Sequence, residues 1–182
     1  LAHRDGADFK QRAALKLLRP EAAASFSRFG AERRLLASLD HPSIARLIDG
    51  GVAPGGRPYM VMDYVEGRAV NRWGPERHAD RDTRLRLFLE LCDAVSHAHA
   101  RLVIHRDIKP ANILVDAAGR SHLLDFGIAR LLDTGEEVRP ATDAMLTPQY
   151  AAPEQLEGSD ITVATDIYAL GAVLYELLAG QG

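Results

Sequence analysis

Two short β-prone runs, Ile113-Leu114-Val115 and Ser121-His122-Leu123-Leu124, are separated only by Asp116-Ala117-Ala118-Gly119-Arg120. The spacer carries turn chemistry: Asp116 can open it through its side chain, and Gly119 can take a positive φ at little cost. Such a segment has few folds open to it other than an antiparallel hairpin, and the spacing predicts a centre between Ala118 and Gly119. That register sets Asn112 opposite Asp125 at the open end, so an amide oxygen and a carboxylate converge. Taken singly, Asn112 reads equally well as a turn residue and Asp125 as a helix cap or strand-end charge. The pair, with Asp107 close by in sequence, is harder to explain that way.

Oxygen donors of this kind suit a hard cation such as Mg²⁺, which takes few protein ligands and completes its shell with water and phosphate oxygens. Asp107 adds a candidate proton acceptor. Composition narrows the rest. The chain has 182 residues, 47% hydrophobic and 26% charged, which is ordinary for a globular protein with a real core. A net charge of −3 offers no basic field to nucleic acid or to an anionic membrane. The single cysteine, Cys92, excludes an internal disulfide and accords with a reducing compartment. No apolar run reaches the roughly 18–20 residues that span a bilayer, and no signal peptide is visible. These features give a cytoplasmic segment with neither nucleic-acid nor membrane contact. Both ends look cut, so a parent protein anchored through other segments is compatible with it.

Along the chain, Arg12–Leu18 reads as a strand with Ala14, Lys16 and Leu18 on one face. A helical stretch opens at Pro20-Glu21 and runs to about Leu39, closed by Asp40-His41-Pro42. Its apolar stripe is Phe29, Leu35, Leu36 and Leu39, and Glu32 falls on the same side. A carboxylate on a core-facing stripe needs a partner, and Lys16 is the natural candidate. Two further strands are predicted at Ile44–Ile48 and Pro58–Met62, with turns at Gly50-Gly51 and Pro54-Gly55-Gly56. From about Thr83 to Leu102 the pattern is a long helix, with Leu85, Phe88, Leu89, Cys92, Val95 and Leu102 at helical spacing and Asp82 or Thr83 as cap. A loop-like stretch from Asp133 to Pro153 precedes a final helix from about Asp166 to Leu178, apolar on most sides. Strands first and helices later argue for an α+β architecture in two lobes.

Residues 105–112, His-Arg-Asp-Ile-Lys-Pro-Ala-Asn, together with Asp125-Phe126-Gly127, resemble the catalytic loop and metal-binding segment of eukaryotic-type protein kinases. The resemblance implies a two-lobed protein-kinase-like fold truncated at both ends. A partial N-lobe would occupy 1–65, with a small antiparallel sheet, one helix and a hinge at 63–65; a partial, mainly helical C-lobe would occupy 66–182. It implies a phosphate-binding Lys16 oriented by Glu32, and room for a purine beside Ala14, with Leu114 also toward the nucleotide. Met62 would be the gatekeeper, and the backbone of Asp63 and Val65 would meet adenine. By the same resemblance Asp107 is the catalytic base, Asn112 and Asp125 hold Mg²⁺ (Mn²⁺ as a substitute), and Lys109 meets the transferred phosphoryl group. Ala152-Pro153-Glu154 matches the end of the activation segment, and Asp166 the residue that braces the catalytic loop. Lys109 and Thr147, which would bridge Asp107 and Lys109, follow the serine/threonine rather than the tyrosine pattern. The implied activity is phosphoryl transfer from ATP to serine or threonine hydroxyls of a protein substrate. Arg106 could pair with a phosphate on the activation segment, for which Thr134 and Thr142 are the candidates. The wording of residues 150–155 and 166–171 is similar to bacterial members.

The pattern also departs from the family. The Gly-rich loop over the phosphates is absent, Leu1-Ala2-His3 reads as the end of a second strand, and the chain stops at Gly182 before the late helices. Two alternatives stand beside the kinase: a pseudokinase-like or truncated nucleotide-binding module with little activity, and a small-molecule phosphotransferase on a related fold. Several residues read as structural. His97 and His99 face different sides of their helix, Cys92 is a small core residue, Trp73 packs at the surface, and Arg33-Arg34 form a solvated helix face.

Overall fold

The computed structural model describes residues 2–5, 10–18, 26–126 and 147–179, with backbone alone at 2–5, 10, 11, 26–29, 31 and 32. Strands β1 (Ala2–Asp5), β2 (Lys10–Leu17), β3 (Leu47–Val52) and β4 (Pro58–Asp63) form a four-stranded antiparallel sheet in the order β1-β2-β4-β3. The register sets Ala14 against Met62 and Lys16 against Met60. Helix α1 (Phe26–Ala37) lies beside β3. Its inward residues are Leu36 and, just past its end, Leu39; Leu35, expected in the same stripe, is 46% exposed.

The strand expected from Ile44 begins three residues later. Ile44 instead makes an isolated parallel bridge to Leu123, with Ala45 N–H donating to the Leu123 carbonyl at 3.0 Å and Leu123 N–H to that of Ser43 at 2.8 Å. Gly50 and Gly51, expected in a turn, lie inside β3. The reason is close approach: a Cβ on Gly50 would come within 3.0 Å of Arg33 Cδ and 3.2 Å of the Tyr59 carbonyl. That opening lets the Arg33 guanidinium donate to the Gly50 carbonyl, so Arg33 is tied to the sheet rather than merely solvated. The turn itself is at Pro54-Gly55-Gly56, where both glycines have positive φ, 93° and 81°.

A three-stranded sheet follows, ordered β5-β6-β7, from β5 (Gly67–Ala69), β6 (Ile113–Asp116) and β7 (Ser121–Leu123). The β6–β7 hairpin is the predicted one with its axis moved. Asp116 N–H donates to the Arg120 carbonyl and Gly119 N–H to that of Asp116, each at 3.0 Å, and Gly119 has φ 76°. This is a three-residue loop ending in a left-handed glycine. Its odd length centres the pairing on Ala118: Ile113 faces Leu123 and Val115 faces Ser121. Asn112 therefore opposes Leu124, whose N–H donates to the Asn112 carbonyl at 2.8 Å, and Asp125 lies one residue beyond.

Between β5 and the hairpin come α2 (Val70–Glu76) and α3 (Arg81–His99). Trp73, expected to pack at the surface, sits on α2, half-buried against the core. The cap of α3 is Asp80, accepting from Thr83 N–H at 2.8 Å, in place of the expected Asp82 or Thr83. Its buried stripe is Leu87, Leu91, Ala94, Val95 and Ala98, whereas Leu89 and Leu102 are exposed. Helix α3 packs against α5 (Val163–Ala179), which contributes Ala169, Leu170, Val173 and Leu177 to the same core. Helix α5 starts three residues before Asp166 and is not enclosed: Ile167, Tyr168, Tyr175 and Leu178 are exposed. A 3-10 turn (Pro110–Asn112) leads into β6, and the short α4 (Pro153–Glu157) precedes α5. Among the described residues no helix is long and apolar enough to cross a membrane.

Candidate active site

The segment between α3 and β6 is held from beneath by one buried carboxylate. Asp166, 1% exposed on α5, accepts from His105 N–H at 2.8 Å, from Arg106 N–H at 2.9 Å and from His99 Nε2 at 2.7 Å. Buried carboxylates of this sort are tolerable only when hydrogen-bonded, and here both oxygens have donors, three in all. His105 is itself buried. Its Nε2 donates to the Leu124 carbonyl at 2.8 Å, and its Nδ1 accepts Asp107 N–H at 3.2 Å. Those partners fix one neutral tautomer, and burial, though opposed by Asp166, holds its pKa below the usual imidazole range. Its ring stacks obliquely on Phe126, centroids 4.6 Å apart, which links the loop to the segment after β7.

On this base stands Asp107. Lys109 Nζ lies 3.1 Å from Asp107 Oδ1 and 2.9 Å from Oδ2. Asn112 Nδ2 donates both to the Asp107 carbonyl at 2.7 Å and to Oδ2 at 2.9 Å. With its amide nitrogen committed to Asp107, Asn112 has its oxygen as the group it can offer a cation. Asp125 follows β7 with φ 54°, in the left-handed region a non-glycine residue enters at a cost. Its Oδ1 meets Lys16 Nζ at 3.1 Å, across from β2 of the first sheet. The expected Lys16–Glu32 pair rests on a Glu32 side chain outside those described. An amide oxygen and a carboxylate are hard donors, so the set fits Mg²⁺.

A cavity beside Asp107 is lined by Lys109, Thr147, Tyr150, Ala151 and Gln155 as well. Thr147 thus shares a space with Asp107 and Lys109. Glu154 accepts from the Thr165 hydroxyl at 2.6 Å, a bond that holds its carboxyl below the ordinary range. On the other side, Ala14 and Met62 are paired across β2 and β4, and Leu114 pairs with Ala69 and His122 across β5-β6-β7. Asp63 N–H donates to the Arg46 carbonyl at 3.0 Å and its carboxylate meets Arg46 Nε at 3.0 Å. Gly127, Thr134 and Thr142 lie outside the described residues.

Several site residues escaped the sequence reading. His99, set aside there, is the third donor to Asp166; it falls four residues after Val95, on the buried stripe of α3, and a polar ring at the end of such a stripe calls for a partner. Glu176, three residues after Val173 on the inward stripe of α5, accepts from Tyr150 Oη at 2.5 Å and Asn71 Nδ2 at 2.9 Å. Burial, with this carboxylate, pushes the Tyr150 phenol above its ordinary pKa. Gln155 bonds the carbonyl of Arg106, a partner far away in the chain that no local pattern announces.

The protein kinase domain family model matches residues 6–182. The serine/threonine-protein kinase PkaB of Streptomyces coelicolor is 42% identical over 179 residues, 92% of this chain and 42% of that protein. PknB of Mycobacterium tuberculosis is 37% identical over 179 residues, 92% of this chain and 28% of that one. The crystal structure of the M. tuberculosis PknI kinase domain matches with a TM-score of 0.73 at 30% identity, covering 98% of this chain and 68% of that one. The chain thus spans 28% to 42% of the length of these two curated relatives.

Proposed function

This chain belongs to the protein kinase family, and from that premise we propose that the protein carrying it transfers the γ-phosphoryl group of ATP to serine and threonine hydroxyls of other proteins. The observation that carries the proposal is the Asp107 carboxylate. It is fixed by Lys109 and Asn112, and its backbone rests on buried His105, which Asp166 braces. Phosphoryl transfer asks mainly for positioning and charge neutralisation. Asp107 would orient the attacking hydroxyl and take its proton late; Lys109, within bonding distance, would meet the charge on the transferred group. Asn112 and Asp125 would hold Mg²⁺, or Mn²⁺ in its place, which when bound neutralises charge on the β- and γ-oxygens. Lys16 would bind phosphate, with Glu32 orienting it. Ala14 and Leu114 would face the purine and Met62 would close its back. Asp63 and Val65 would meet adenine through their backbone; at Asp63 this falls to the carbonyl, since the amide already serves Arg46.

The substrate class is supported by Thr147 sharing the cavity with Asp107 and Lys109. The nucleotide would lie between an N-lobe of residues 1–65 and a C-lobe of 66–182, and use of cellular ATP would put this segment in the cytoplasm. A binding module without turnover is the weaker alternative, because Lys16, Asp107, Asn112 and Asp125 are all present.

The test is Asp107→Asn in the full chain, assayed with Mg-ATP on a generic basic protein and, separately, on small alcohols. Turnover on the protein should fall by at least on the order of 100-fold, with nucleotide affinity within about twofold. Undiminished transfer by the variant would remove Asp107 from its role; transfer by the parent to small alcohols only would replace the substrate class.

A further inference from the structure

Arg106 is the one residue of the 105–109 loop with a positive φ, 68°. Its backbone is held on both sides. Its N–H donates to Asp166 Oδ1 at 2.9 Å, and its carbonyl accepts from Gln155 Nε2 at 2.8 Å. That carbonyl belongs to the peptide unit that leads into Asp107, so whatever fixes it places the Asp107 N–H and Cα from which the side chain leaves the loop. The other end of the Gln155 amide is also committed: its Oε1 accepts Ala152 N–H at 3.1 Å at the start of α4. A carbonyl can only accept and an N–H can only donate, so the orientation of the amide is determined by its partners. Both bonds need one donor and one acceptor on the same terminal group at this reach. Among side chains of that length only glutamine supplies them.

We propose that Gln155 is a positioning residue. It couples the end of the segment that lines the substrate cavity to the left-handed peptide preceding Asp107, and so sets the aim of that carboxylate. This rests on the function proposed above, since aim matters only if Asp107 engages a hydroxyl. Asp166 holds the same loop from the helix side; Gln155 holds it from the side on which a protein substrate would bind. A seated substrate would therefore press on the element that orients the proton acceptor.

Two variants separate bonding from packing. Gln155→Met keeps the shape and loses both bonds. Gln155→Glu keeps the shape and one acceptor, but turns an anionic oxygen toward the Arg106 carbonyl. In the full chain, kcat on a basic protein substrate should fall on the order of tenfold in Gln155→Met and further in Gln155→Glu, with KM for ATP within about twofold in both. Backbone amide exchange at residues 105–109 should quicken in both. A packing role alone predicts the isosteric glutamate to be no worse than methionine, and that order overturns the proposal. So does a kcat within twofold of the parent in Gln155→Met, or unchanged exchange in the loop. If the parent transfers no phosphoryl group to protein while loop exchange still quickens in the variants, the functional reading fails and the coupling of Gln155 to the loop survives.

Discussion

Among the described residues, four that are not glycine, His78, Leu102, Arg106 and Asp125, share the left-handed backbone, with φ 50°, 60°, 68° and 54°. Such a conformation costs an L-residue roughly 1–2 kcal/mol. At Arg106 the cost is offset by bonds from Asp166 and Gln155 to its backbone. Strain of this kind persists where surrounding structure over-determines it, which is common at functional sites. Leu102 has no such compensation in its side chain, which is 90% exposed just past α3. Leu102→Asn, a residue that tolerates this backbone, should therefore stabilise the protein by about 1 kcal/mol, read as a higher urea midpoint at unchanged slope, without altering turnover. Asp125→Asn should bring no comparable gain, because aspartate, like asparagine, already tolerates this backbone. A lower midpoint in Leu102→Asn would mean that the exposed leucine is held by something more than its backbone turn.

At the scale of elements, the β6–β7 hairpin is tied by one side chain. Asp116 Oδ1 accepts Ala118 and Arg120 N–H, at 2.9 and 3.0 Å, and Oδ2 accepts Arg120 Nη2 and His122 Nε2, both at 3.0 Å. Burial works against its ionisation, but the Arg120 amide, His122 and the Arg120 guanidinium outweigh it and hold the carboxyl at about 2 instead of 3.8. A depressed folded pKa contributes stability that is present above the unfolded value and lost as pH falls through the folded one. Asp116→Asn should thus cost about 2 kcal/mol at neutral pH, a difference that closes between about pH 4 and pH 2. Urea unfolding of both proteins across that range would show it, and a pH-independent difference would assign the loss to geometry alone. The hairpin was legible in sequence because its β-runs and turn residues are adjacent. Its axis was not, since a two-residue and a three-residue loop differ by one position in which glycine turns left-handed. The phase of α3 was missed for a related reason: apolar residues lie on more than one face, and the buried stripe includes the small Ala94 and Ala98, which a pattern of large apolar residues passes over. Gln155 was illegible because its bond to Arg106 is made by folding, between segments that share no local pattern.

In the whole molecule, the two sheets are joined on one side by the Ile44–Leu123 bridge and on another by Lys16 reaching Asp125. The bridge is made by backbone hydrogen bonds. The ion pair is about one third exposed at each side chain, so in solution it is screened and worth little by itself. Its importance lies in what would replace it: a nucleotide phosphate could take the ammonium while a metal took the carboxylate, turning one weak pair into two strong ones that still span both sheets. A ligand binding only the folded state stabilises it by about 2.7 kcal/mol at one hundred times its dissociation constant. With a non-hydrolysable ATP analogue and Mg²⁺, the parent should show a rise of several degrees in thermal midpoint, and omission of Mg²⁺ should remove much of it. Asp125→Asn should abolish the magnesium-dependent part while keeping the remainder. Lys16→Met should diminish the rise with and without the metal. Because the readout is stability, it tests the geometry of the cleft independently of turnover. A parent whose midpoint ignores Mg²⁺ and nucleotide together would mean that Lys16 and Asp125 meet as a structural pair, with no room between the sheets for what they resemble.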